Sequence, residues 1–184
     1  RQRYRSSTPI ETLFIQEGEK KSEKATKHGI PSIGVMGIQN IGSKAHVLPQ
    51  DIQLIIQRCE TQQVVFMLDA DWDELSDKLK PGDAVDQRPR SFFYAVKNYK
   101  EYMRTLVNLG FSVEIWFGYV RKNEANAKGI DDLLTMVLKG DEAKLSEDVN
   151  FAMHDKDGHG QYVQLHKITQ MSDTQIADLW LLND

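Results

Sequence analysis

Glu17, Asp69 and Asp71 are the residues of this chain best placed to do chemistry, because each stands just past a run of apolar β-formers. Glu17 follows Leu13-Phe14-Ile15-Gln16, and Asp69-Ala70-Asp71 follows Val64-Val65-Phe66-Met67-Leu68. Short apolar runs bounded by turn residues read as buried, parallel strands. Carboxylates at the carboxyl ends of such strands lie where open α/β sheets bind ligands. Two carboxylates about 4 Å apart repel by roughly 4 kcal/mol at an effective dielectric of about 20, so three together call for a proton or a cation. Carboxylate oxygens and water are the ligands that Mg²⁺ or Mn²⁺ prefers. A metal so held can bridge phosphate oxygens and activate a nucleophile. Taken singly, each acid reads equally as a helix cap or turn former.

The elements that would position these acids alternate along the chain. Residues 12–16, 30–35, 63–68 and 112–117 read as strands. Residues 19–28 read as a helix capped by His28-Gly29, and 49–58 as a helix with Pro49 in its first turn. Residues 91–109 carry Phe92, Val96, Tyr99, Met103, Leu106 and Val107 at helical spacing, and Gly110 closes them. A further helix opens at Lys128-Gly129-Ile130-Asp131-Asp132, with its acids in the first turn where the dipole favours them. Between the third strand and the long helix, residues 72–90 contain Pro81-Gly82 and Pro89 and read as a loop or partly ordered insertion, of a length that often serves as a lid or binding loop. From residue 141 the alternation breaks, leaving a turn at Asp155–Gly160, a strand over 161–168 and an amphipathic helix over 172–182. The Asp155–Gly160 stretch reads as a turn between strands rather than a calcium loop, because His166 stands where the last glutamate belongs.

This order predicts an α/β, Rossmann-like fold: a mainly parallel four-stranded sheet flanked by helices, with right-handed crossovers. Residues 1–10 form a linker or arm, 11–140 the domain, and 141–184 a small C-terminal extension. If the third strand lies beside the first, the sheet has a switch point there. Glu17 then forms one wall of the crevice, with Asp69 and Asp71 on the other. Asp69 and Asp71 point the same way if the extended conformation persists past the strand.

Glu17-Gly18 after a strand, then Asp69-Ala70-Asp71 after a later strand with one βα unit between, resembles the Toprim domain. Bacterial-type DNA primases, type IA and type II topoisomerases, RecR-like repair proteins and overcoming-lysogenization-defect nucleases share that domain. The stretch from Phe14-Ile15-Gln16-Glu17-Gly18-Glu19-Lys20-Lys21 to Lys128-Gly129-Ile130-Asp131-Asp132-Leu133-Leu134 resembles more closely a Toprim-like domain of primase- and helicase-like proteins of phages, plasmids and conjugative elements. The resemblance covers roughly residues 11–140. It implies that Glu17 acts as general acid or base or shares the metal, and that Asp69 and Asp71 are metal ligands. Asp131 and Asp132 match the later acidic positions of the lysine-led motif, while Gly129 stands where many primases carry Asp. Implied with it are Mg²⁺ or Mn²⁺, a DNA or RNA substrate, phosphoryl or nucleotidyl transfer, and neighbouring domains of a larger primase or helicase polypeptide. Two alternatives stay open, a catalytically silent RecR-like module and a Toprim nuclease.

Basic and aromatic residues complete the candidate list. Lys20 and Lys21, near the start of the first helix, face a phosphate or simply form a solvated ridge with Lys24 and Lys27. Arg88 and Arg90, with Lys97, Lys100 and Arg104, extend a nucleic-acid track or an ordinary charged face, and Lys128 adds to it. Trp72 either stacks on a base or closes over the core. Gln39 and Asn40, in the Gly34–Gly42 stretch, border the site without a Walker pattern. Arg1, Arg3 and Arg5 read as linker or as a phosphate-binding arm.

The 184 residues are enough for one full α/β core, and 40% apolar with 27% charged residues is ordinary for a globular protein. A formal charge of −4 argues against strong stand-alone binding of nucleic acid, though not against nucleic acid as a substrate. Cys59 is the single cysteine, so a disulfide within the chain is excluded and a reducing cytoplasmic setting is expected. No stretch approaches the roughly 18 apolar residues of a membrane span. The chain begins at Arg1 rather than Met, which reads as a fragment of a longer polypeptide.

Overall fold

The computed structural model describes residues 6–37, 41, 46–75, 78–84 and 87–180. Arg1, Arg3, Arg5, Gln39, Asn40, Leu181 and Leu182, all named in the sequence reading, lie outside the described residues.

Among the described residues, five strands form one sheet in the order β2-β1-β3-β4-β5. They are β1 (Thr12–Glu17), β2 (Ser32–Val35), β3 (Gln63–Leu68), β4 (Glu114–Val120) and β5 (Val163–Lys167). The first four run parallel, and β5 pairs antiparallel with β4, Phe117 opposite His166. The expected four-stranded sheet therefore gains a fifth strand at its edge, built from the segment expected to be an extension. Residues 64–68 of β3 are buried on both faces, which is why the strand reads as an unbroken apolar run rather than an alternation.

Helices cover both faces. One layer holds α1 (Glu19–Lys27), α4 (Ile130–Asp132) and α5 (Glu142–His154). The other holds α2 (Gln50–Arg58), α3 (Gln87–Asn108) and α6 (Asp173–Trp180). The strands feed the two layers alternately. Leu13, Ile15, Val64 and Phe66 join α2, α3 and α6, while Phe14, Val65 and Met67 join α1, α4 and α5. The Phe66 ring stacks on Tyr99 of α3 with centroids 4.0 Å apart, anchoring the long helix over the centre of the sheet.

Three local departures from the sequence reading have clear causes. First, α3 starts at Gln87 rather than 91, because Pro89 sits in its first turn, where a missing N–H costs nothing. Arg88 and Arg90 are thus helical, not loop residues. Second, α4 passes directly into a π-helical turn, Leu133–Val137, with Leu133 and Leu134 buried. Third, α5 was not expected. Asp141 caps it, accepting from the Lys144 N–H at 3.3 Å, but its buried stripe is only Leu145, Asp148, Val149 and Ala152. Asp148 is the hinge pin of this region. Its carboxylate accepts the backbone N–H groups of Gln161, Tyr162 (2.8 Å) and Val163 (3.0 Å), fixing the start of β5 on α5.

Candidate functional site

Strand order places the switch point between β1 and β3, so the carboxyl ends of these two strands open on a common crevice. Glu17 ends β1 and is exposed. Gly18 follows in the left-handed region (φ 96°), which turns the chain sharply enough for α1 to begin at Glu19. That turn brings Lys21, in the opening turn of α1, back over the strand ends. Gly34 of β2 permits the close approach, since a Cβ there would meet Glu19 Cα and the Gly18 carbonyl oxygen at 2.8 Å.

Across the crevice, the Ala70 N–H donates to the Lys128 carbonyl at 2.8 Å and stitches the loop after β3 to the loop before α4. Asp69, Gly129 and Asp131 consequently share one small volume. A Cβ on Gly129 would lie 2.8 Å from Asp131 Oδ1, 3.1 Å from Asp69 Oδ1 and 3.4 Å from Lys21 Nζ. The carboxylate of Asp131 thus fills the space that an acidic residue at position 129 would enter. Its Oδ1 is buried without a hydrogen-bond partner. Lys21 pairs with Asp69 through Oδ2. Burial opposes the Lys21 ammonium, but Asp69, and then Asp131 and Glu17, outweigh it and hold its pKa above the ordinary lysine value.

Asp71 belongs to a second network. The chain turns at Ala70–Asp73, with the Glu74 N–H on the Asp71 carbonyl at 3.1 Å, so strand alternation does not carry Asp71 alongside Asp69. Instead Arg88 Nη1 reaches both the Asp71 carbonyl oxygen and Oδ2 at 3.2 Å, and lies 3.7 Å from Glu74. Lys128 Nζ sits 2.7 Å from Glu74 and 3.9 Å from Asp71. Asp132 turns back to accept the Lys128 backbone N–H at 3.4 Å, holding the loop rather than facing Asp69. The predicted acids therefore divide: Asp69 and Asp131 gather at Lys21, with Glu17 in electrostatic reach of it, and Asp71 joins Glu74, which the sequence reading did not single out, at Arg88 and Lys128.

The remaining candidates disperse. Trp72 is half-buried, edge-on to Trp180 with centroids 5.2 Å apart and close to Tyr119, so its ring packs on the core. Lys20 and Arg90 are exposed on the first turns of α1 and α3. Lys97 and Lys100 face Asp173 of α6 at 3.5 and 3.0 Å, and Arg104 pairs with Glu101 on its own helix. These pairs tie helices and helix turns together. Sequence reasoning missed the Lys21–Asp69 and Arg88–Asp71 pairs. The signal was present only as a basic residue in the opening turn of each helix.

Among the described residues, one group of three ligand atoms lies within 4.8 Å of one another, and it is elsewhere: Asp155, Asp157 and His159 could hold a metal ion. That turn joins helix α5 to β5 rather than two strands. Asp155 Oδ2 there already accepts the Asp157 and His159 N–H groups at 3.0 and 2.9 Å. In the crevice, Asp69 and Asp131 supply two hard oxygen donors, of the kind a divalent ion with retained waters accepts. Among the described residues, no helix is long and apolar enough to cross a membrane. No family model, curated protein or solved structure matches this chain.

Proposed function

We propose that this chain is a Toprim-like nucleic-acid module that uses Mg²⁺ or Mn²⁺ for phosphoryl or nucleotidyl transfer, within a primase- or helicase-like polypeptide of a mobile element. The observation that carries the reading is the convergence of Asp69 and Asp131 on one point at the carboxyl end of the sheet, where its switch point lies. Asp69 and Asp131 would hold the ion, with Glu17 within electrostatic reach of the same lysine. A bound ion supplies Lewis-acid stabilisation of a phosphoryl oxygen and activation of a water or hydroxyl. Glu17, exposed at the strand end, accepts or returns a proton at the attacking oxygen. Arg88 and Lys128, already gathered at Asp71 and Glu74, offset phosphate charge at the other side of the crevice.

One observation favours a silent RecR-like module instead: Asp69 and Asp71 are both paired to basic side chains. Mn²⁺ titration of the wild type against Asp69→Asn with Asp131→Asn separates the readings. Saturable binding lost in the double variant supports the metal site, and negligible binding by both removes it. Labelled DNA and RNA strands incubated with the chain, with and without nucleotides, then distinguish cleavage from extension.

A further inference from the structure

Lys21 stands within the acidic group, and the other lysines of α1 do not. Lys27 pairs along the helix with Glu23 at 2.9 Å, Lys24 reaches Thr135 of the π-turn, and Lys20 is exposed. The Lys21 ammonium instead donates to Asp69 Oδ2 and shares with Asp69 Oδ1 and Asp131 Oδ1 the volume above Gly129. An ammonium and a divalent ion cannot both occupy so small a space among the same carboxylates. Their repulsion falls off only with distance, and the crevice screens it less than water does. Resting on the metal reading above, we infer that the Lys21 ammonium is a tethered competitor that sets the divalent-ion affinity of the site and leaves it when the ion enters.

The side chain is suited to leaving. Lysine carries its charge on a flexible four-carbon stem with freely rotating donors. Lys21 keeps 26% of its side chain exposed, so a route to solvent is open. Arg88, by contrast, is held at two atoms of Asp71 and cannot withdraw without giving up both. The competitor also explains how the crevice tolerates clustered acids when no ion is bound, because the ammonium offsets their mutual repulsion.

Mn²⁺ binding to the full chain, measured by calorimetry, tests this. Lys21→Met is expected to bind about tenfold more tightly than the wild type, and Lys21→Arg close to the wild type, while Asp69→Asn weakens binding in every background. Equal or weaker binding by Lys21→Met, with Asp69→Asn still weakening, overturns the competitor role and leaves the metal reading standing. No binding by any variant removes both. Should Lys21→Met fail to fold, the wild-type Lys21 Nζ resonance, assigned by its loss in Lys21→Arg, is followed through a Mg²⁺ titration. It should move to the position of a solvated lysine, and an unmoved resonance at saturation refutes displacement.

Discussion

Replacing Gly129 with alanine separates the metal site from the stability of the fold. The backbone at Gly129 is extended (φ −119°, ψ 174°), a conformation that any residue adopts. Alanine there restricts the unfolded chain and so contributes about 0.4–1 kcal/mol of stability. Against this, the new methyl lies 2.8 Å from Asp131 Oδ1 and 3.1 Å from Asp69 Oδ1. Both atoms are the ends of side chains, so they yield by rotation at a cost of order 0.5–1.5 kcal/mol. The two effects nearly cancel, and urea denaturation should place Gly129→Ala within about 1 kcal/mol of the wild type. Metal binding should not be spared, because the methyl occupies the shared volume and turns Asp131 away. We expect Mn²⁺ affinity to fall at least about tenfold, or roughly 1.4 kcal/mol. Unchanged affinity at unchanged stability would refute the joint action of Asp69 and Asp131. A loss of stability beyond about 3 kcal/mol would show that the volume cannot relax as argued.

Two further perturbations probe the added edge of the sheet. Asp148→Ala strips acceptors from three backbone N–H groups at a site only 8% exposed, and should cost about 4 kcal/mol in urea denaturation; a loss under about 1 kcal/mol would contradict the latch. His166 stacks on Phe117, and burial, with a smaller contribution from His159, lowers its pKa to about 4. Its unfolded imidazole takes up a proton near pH 6.5 and its folded one only near 4. The stability tied to the neutral ring is therefore complete above about 6.5 and declines as the pH falls toward 4, by about 3 kcal/mol. His166→Phe keeps the stacking and should lack that decline, so parallel stability–pH profiles of the two proteins would refute it.

The contrast between β3 and α5 shows what local pattern can carry. In β3 every residue from Val64 to Leu68 is buried, so five consecutive apolar side chains announce the strand. Helix α5 presents a narrow stripe that includes a buried aspartate, while its Phe151 is 60% exposed, so neither hydrophobic period nor polarity marks it. The antiparallel β5 was readable as a strand, but its partner was not. Pairing with β4 depends on α5 and its Asp148 returning the chain to the sheet edge. The candidate site divides in the same way. Glu17 and Asp69 were legible because strand ends are legible, whereas the turn at Ala70–Asp73 that sends Asp71 to Arg88 has no comparable signature.

By itself, the sequence determined the α/β class, the succession of the first four strands and the presence of acids at two strand ends. Those properties follow from periodicity and turn chemistry within short windows, where neighbours in the chain are neighbours in space. Only the tertiary structure decided which charges meet. Lys21 and Asp69 stand 48 residues apart, and Asp131 comes from a third segment that a backbone hydrogen bond ties to the loop after β3. Charges interact through distance and burial, which the sheet order and the loop geometry set jointly. The same acids could have formed an open carboxylate row, and the fold instead folds a lysine among them.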